Sequence, residues 1–163
     1  MKKYTLEIID DNHYKIIADG YDAIFIGTET EGITKCDEMN IILLENLKIM
    51  KIKEVQCRYQ KMADDGLARF TKLEQSTFED QKKEYRAYTE DNNAPTPTID
   101  ILCTARGVTK EYLIEKIGAN IQLQIMTVGL QQAEEDKVKS IKTLDEFFNT
   151  FPTETQNVTD DSL

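Results

Sequence analysis

Tyr4-Thr5-Leu6-Glu7-Ile8-Ile9, then Asp10-Asp11-Asn12, then His13-Tyr14-Lys15-Ile16-Ile17-Ala18 is the stretch whose reading decides the fold. Each flank alternates apolar and polar residues with the period of two that a half-buried strand needs, and the Asp-Asp-Asn cluster between them is a turn signal. Asp19-Gly20 is a second turn signal, and Tyr21 to Gly27 is β-branched and aromatic enough for a third strand. Thr28 to Gly32 reads as a further turn, with Ile33-Thr34-Lys35-Cys36 as a short fourth strand. Residues 1–36 are therefore expected to form a small antiparallel meander. Such a sheet has one apolar face and little stability alone, so another element must cover it.

The expected cover is the segment that follows, residues 37–91. Asp37 is a plausible N-cap, because its carboxylate can accept from the N–H groups left unpaired at a helix start. Met39, Leu43, Leu47 and Met50 recur at helical steps, and Val55, Tyr59, Met62, Phe70 and Leu73 continue the spacing. The pattern predicts a helix from about 38 to 90, with a break expected near 49–53 or at 64–66, where Gly66 weakens a helix by about 1 kcal/mol relative to Ala. Unbroken, it would measure roughly 80 Å at 1.5 Å per residue. Its outer half would need a second helix, from this chain or another, to pack against.

Residues 92–97 end that segment, since Pro95 and Pro97 push their predecessors out of helical geometry; they read as a hinge. Beyond it, 98–151 forms a second helical segment. Thr98 is expected to cap a short helix running to Ala105, with Gly107 as its C-terminal stop. Thr109 is expected to cap the next helix, with Val108 and Leu113 as a hydrophobic staple. That helix carries Leu113, Ile117, Ile121, Ile125 and Val128 along one stripe, widened by Ile114, Met126 and Leu130. Thr143-Leu144-Asp145-Glu146 has the form of a capping box before a short helix with Phe147 and Phe148, which Pro152 ends. Residues 152–163, poor in apolar groups, read as an acidic flexible tail. The fold class expected is α+β: a small N-terminal antiparallel β-meander, then long helices forming a helical hairpin or coiled-coil-like bundle.

Composition narrows the function classes. The 163 residues carry 20 Lys and Arg against 30 Asp and Glu, a formal charge of −10. Residues 1–37 hold a net −4 and residues 152–163 a net −3, while the helical middle is nearly balanced, as a solvated helix face with interspersed signs should be. That balance argues against tracking a nucleic-acid backbone, which needs clustered cations. The longest apolar run, Ile41 to Leu44, is far short of the ~20 residues of a membrane span, and the start lacks an apolar signal-peptide core; the mature chain is expected to begin at Met1, with neither membrane insertion nor secretion by a signal peptide. Three scattered cysteines, Cys36, Cys57 and Cys103, suit a reducing compartment better than a disulfide framework.

Chemistry finds little purchase. His13, the single His, sits beside a turn with no identifiable nucleophile, so no triad or Cys-His arrangement is read and no catalytic residue is assigned. Metal ligation has no recognisable Cys/His spacing, and the carboxylates at Asp64-Asp65 and Glu134-Glu135-Asp136 point in different directions on a helix. None of the seven glycines falls into a phosphate-binding motif, and no cofactor is expected. Residues 98–120, with Leu102 to Leu113 around Gly107, have the outline of a helix-turn-helix; a DNA-binding regulator is one alternative reading, although Lys110, Glu111, Glu115 and Lys116 leave the entering helix with no net charge.

Pro97-Thr98-Ile99-Asp100-Ile101-Leu102, Arg106-Gly107-Val108-Thr109-Lys110, Leu113, Lys116-Ile117, Asn120, Gly129-Leu130-Gln131-Gln132 and Glu135-Asp136 resemble a helical segment of bacteriophage proteins from structural, tail-associated gene modules. The resemblance covers residues 97–136 and implies a non-catalytic virion or assembly component whose helices pack in an oligomer, acting in the bacterial host cytoplasm during assembly. No functional residues carry over from it. The expectation is thus a phage or prophage structural protein that self-associates and meets other protein subunits, with Leu113, Ile117, Ile121, Ile125 and Val128 as its interface. The competing use of those five is an intramolecular core. The other alternative is an acidic inhibitor or anti-defence protein that binds a basic host protein.

Overall fold

A computed structural model describes residues 3–18 and 21–152. The fold is α+β, with three antiparallel strands followed by helices among the described residues. The strands are β1 (Thr5–Asp10), β2 (His13–Ala18) and β3 (Tyr21–Ile26), in the spatial order β1-β2-β3. Pairing sets Leu6 against Ile16, Ile8 against Tyr14 and Tyr14 against Phe25, so these side chains share one face. The register of β1 against β2 slips between Ile8 and Asp10, a bulge beside the turn. The turn signal at Asp19-Gly20 and residues 153–163 of the acidic tail lie outside the described residues.

The first helix, α1 (Glu29–Leu67), begins well before the expected position. Thr28 and Glu31 form the start: the Glu31 N–H donates to Thr28 Oγ1 at 3.4 Å, and the Thr28 N–H donates to Glu31 Oε2 at 2.7 Å. This capping box nucleates the helix nine residues ahead of the expected 38, so Ile33–Cys36 is helical rather than a fourth strand and Asp37 is not a cap. Gly32 makes the early start possible, since a Cβ there would lie 2.8 Å from the Tyr14 ring. The helix also continues without interruption through 49–53 and 64–66. α1 ends instead at Leu67, and the short α2 (Lys72–Gln75) starts at a second capping box, Thr71 with Glu74. Next come α3 (Phe78–Glu90), α4 (Pro97–Arg106), α5 (Lys110–Ser140) and α6 (Leu144–Thr150).

The chain divides into two compact units, one made of Met1–Lys53 with Asp136–Leu163 and the other of Glu54–Glu135. Among the described residues the first has two apolar clusters. Tyr14, Ile16 and Cys36 are buried with Leu6, Phe25 and Met39 against them, which is α1 covering the sheet. Asn40 fixes that contact, its amide accepting the Tyr4 N–H at 2.7 Å and donating to the Tyr4 carbonyl at 3.0 Å. The other cluster gathers Leu44, Val138, Ile141, Leu144 and Phe147, bringing α1, the end of α5 and α6 together. At α6 the Glu146 N–H donates to Thr143 Oγ1 at 3.2 Å as expected of its cap, while the Glu146 carboxylate reaches the Lys142 N–H.

The second unit is built on Ile99, Leu113 and Ile117, with Tyr85, Leu102, Ile114 and Ile121 packed around them. Pro97 is the first residue of α4 rather than the end of a hinge, a position where its missing N–H leaves nothing unpaired. Thr98 lies inside the helix and does not cap it; the Glu84 carboxylate on α3 takes the Thr98 and Ile99 N–H groups, each at 2.9 Å. Gly107 closes α4 in the left-handed conformation, φ 64°, which glycine adopts without strain. Among the described residues no helix is long and apolar enough to cross a membrane.

Candidate functional site

The second unit positions most of α5, the element that carries every predicted site residue. Its start is capped as expected, with the Tyr112 N–H on Thr109 Oγ1 at 3.2 Å. Lys110 in the first turn reaches across to α4, its Nζ 2.7 Å from Asp100 Oδ1. That hydrogen bond holds the Asp100 carboxyl below its ordinary range and raises the Lys110 ammonium above its own. Lys116 lies over the Tyr112 ring at 5.5 Å. The two cations that the first turns of α5 would offer a groove, Lys110 and Lys116, thus already have partners, on an acidic chain.

The five predicted interface residues part company along the helix. Leu113 and Ile117 are buried inside the chain, 4% and 6% exposed, against Ile99. Gly118, one step on, lets the Tyr85 ring press against the helix backbone. Ile121 is half-buried at the edge of that core. Ile125 and Val128 are open, 67% and 53% exposed, and so are Leu123, Met126 and Leu130. The stripe is therefore core at its N-terminal end and free surface beyond Ile121, within the single chain. Further on, the helix regains partners: Tyr59 Oη donates to Glu134 Oε1 at 2.7 Å, Arg58 pairs with the same carboxylate, and Gln56 donates to Glu135 at 3.1 Å. The Glu134 hydrogen bond raises the Tyr59 hydroxyl pKa.

The open stretch has a property that apolar periodicity does not report. From Ile117 to Ala133 the sequence IGANIQLQIMTVGLQQA holds no charged residue, seventeen positions in a chain of which 31% is charged. From Gln122 to Leu130 every residue but Thr127 is exposed, so neutral side chains face outward around most of the helix. An ordinary surface helix keeps charges on its solvent side, and contiguous exposed apolar surface marks contact sites. Counting charges along the helix, rather than apolar steps, would have located this segment from sequence.

Elsewhere the polar groups serve the fold. His13 Nδ1 lies 2.7 Å from Asp10 Oδ1 at the exposed end of the hairpin. The Asn12 N–H first, and then the His13 ring, hold the Asp10 carboxyl below its usual range. A recess of 340 Å³ is lined by Tyr14, Thr30, Glu31, Thr34, Lys35 and Glu38, but Glu31 is committed to the Thr28 cap and Lys35 faces Glu38 at 3.7 Å. Among the described residues no group of three or more His, Cys, Asp or Glu is placed to hold a metal ion. Cys36 is buried, its Sγ directed at the Tyr4 carbonyl at 3.3 Å, and burial pushes its pKa up.

Comparison with protein-family models, with curated proteins and with solved structures finds no match to the chain.

Proposed function

We propose that this chain is a non-catalytic assembly protein, a structural or tail-associated component of a bacteriophage or prophage, that works through protein-protein contacts and self-association in the bacterial cytoplasm. The observation that carries the interface reading is the exposed, charge-free stretch of α5 around Leu123, Ile125, Met126, Val128 and Leu130. Surface of this kind contributes about 25 cal/mol for each Å² removed from water, with no ionic desolvation to offset it. The phage assignment rests on the resemblance of residues 97–136, which contain that stretch.

The interface is narrower than the periodic stripe: Ile125 and Val128 belong to it, Ile121 sits at its margin, and Leu113 and Ile117 support it from inside. The test is the solution mass of the chain by light scattering over a concentration series, for wild type and for Ile125→Asp with Val128→Asp. A multimer whose mass falls in the double variant, with the chain still folded, supports the reading. Its salt response separates the rivals, because contact through neutral apolar surface holds or tightens as salt rises, whereas an acidic inhibitor on a basic partner loosens. A wild-type monomer near 18.8 kDa at all concentrations removes self-association from the proposal.

A further inference from the structure

The sheet carries a second, independent surface. β3 lies at the sheet's edge, and among the described residues nothing pairs with its outer side. Which backbone groups it leaves open follows from one bond. The Gly27 N–H donates to the Asn12 carbonyl at 2.9 Å, so Asn12 and Gly27 form a hydrogen-bonded pair, and such pairs alternate along an antiparallel ladder. Phe25 and Ala23 therefore turn their backbone groups toward Tyr14 and Ile16 of β2, while Asp22, Ile24 and Ile26 turn theirs to the open edge. The same three residues carry their side chains on the sheet face opposite α1, where Ile24 is 64% and Ile26 82% exposed.

The two edges of this sheet are treated differently. β1 carries a bulge and the charges Glu7 and Asp10, features that keep an edge from pairing. β3, Tyr21-Asp22-Ala23-Ile24-Phe25-Ile26, has no Lys, no Pro and no bulge. Its one charge, Asp22, is held by Lys15 of β2 at 2.8 Å.

We propose that β3 pairs with β3 of a second copy of this chain, antiparallel about a two-fold axis at Ile24, to join two sheets into one. The open backbone groups are self-complementary in this register: Ile24 faces Ile24 of the second copy, and Asp22 faces Ile26 in both directions, so every outward N–H meets an outward C=O. Ala23 comes opposite Phe25, small against large, on the α1 side. The charges also fit. The two Asp22 carboxylates stand four positions apart, about 13 Å at 3.3 Å per residue, beyond the Debye length at physiological salt. This contact is separate from the α5 surface and does not depend on it.

The test uses the full chain carrying Ile125→Asp and Val128→Asp, so that α5 makes no contribution, and reads sedimentation equilibrium together with amide hydrogen exchange. A monomer-dimer equilibrium is expected, in which the Asp22, Ile24 and Ile26 amides slow by about tenfold or more as concentration rises. The Ala23 and Phe25 amides, already bonded to β2, should be protected at every concentration and report that the hairpin is folded. Ile24→Lys places a charge on the edge, and Ile24→Pro removes an N–H that β2 does not use; both should abolish the dimer with the hairpin intact. Exchange at Asp22, Ile24 and Ile26 that is independent of concentration overturns the proposal, as does a dimer that survives both variants. Protection that appears only when a different protein is added, with the pure chain monomeric, overturns it in favour of a foreign strand.

Discussion

Glu84 caps a helix to which it does not belong. Its Oε2 accepts the Ile99 N–H at 2.9 Å, and its Oε1 accepts that of Thr98 at the same distance, so a side chain of α3 satisfies the first turn of α4. A carboxylate at a helix N-terminus also meets the positive end of the helix dipole. Glu84→Ala should leave both donors unpaired at a half-buried site and destabilise the chain by about 1–2 kcal/mol, with Glu84→Gln in between. Urea unfolding followed by circular dichroism measures this, and an unchanged midpoint for the alanine variant would show that water serves as well.

The Asp100–Lys110 pair ties the stability of the second unit to pH at both extremes. The Asp100 pKa is depressed by the Lys110 hydrogen bond, so its contribution is present above the unfolded carboxylate value and is lost as pH falls through the folded one. The Lys110 pKa is raised by Asp100, so its contribution is complete below the unfolded lysine value and is lost as pH rises through the folded one. The pair is therefore intact from about pH 4 to about pH 10.4. An NMR titration of the Asp100 carboxyl should give a midpoint below the ordinary value, and Lys110→Met should raise it, with the hydrogen bond from Thr96 Oγ1 still holding it down in part. A midpoint that ignores the lysine variant would rule the pairing out.

Two glycines of α5 should respond to alanine with opposite signs. Nothing lies within 4 Å of a Cβ at Gly129, so Gly129→Ala should stabilise the monomer by about 1 kcal/mol through helix propensity. At Gly118 a Cβ would sit 2.7 Å from Tyr85 Oη and 2.9 Å from its Cε2, and Gly118→Ala should lose about 1–3 kcal/mol despite the same propensity gain. Adding Tyr85→Ala should shrink the penalty of Gly118→Ala itself, a non-additivity that thermal unfolding of the four chains resolves.

The three thiols should separate by reactivity. Cys57 is exposed, Cys103 half-buried, and Cys36 buried, the last two with pKa values raised chiefly by burial. A disulfide reagent at pH 8 should modify Cys57 fast, Cys103 more slowly, and Cys36 only in denaturant. Prompt reaction of Cys36 would mean that α1 does not stay on the sheet.

The strands were legible because alternation over Tyr4 to Ala18 and the turn residues between carry the whole signal locally. The helix starts were legible only in part. Thr28-x-x-Glu31, Thr71-x-x-Glu74 and Thr143-x-x-Glu146 are the same motif, yet only the last stands directly before an apolar pattern with no competing strand signal. Thr28 follows a strand so closely that Ile33–Cys36 reads as more of the same, and the approach of Gly32 to Tyr14 that favours the helix is a tertiary contact. The Glu84 cap was out of reach for another reason, since it joins residues 14 and 15 positions apart through the turn at 91–96. For α5, periodicity identifies an apolar stripe but not how far along it the chain's own core extends. Ile99 and Tyr85 settle that, and neither is on the helix.

The neutral stretch of α5 has a practical side. Between Lys116 and Lys137 there is no lysine or arginine, so trypsin has no cleavage point there and amine-directed cross-linkers have no handle. The exposed helix from Gln122 to Leu130 is silent to both reagents whether it is covered or bare. Footprinting it requires chemistry that reads neutral side chains, and Met126, more than half exposed, supplies a natural reporter through its oxidation.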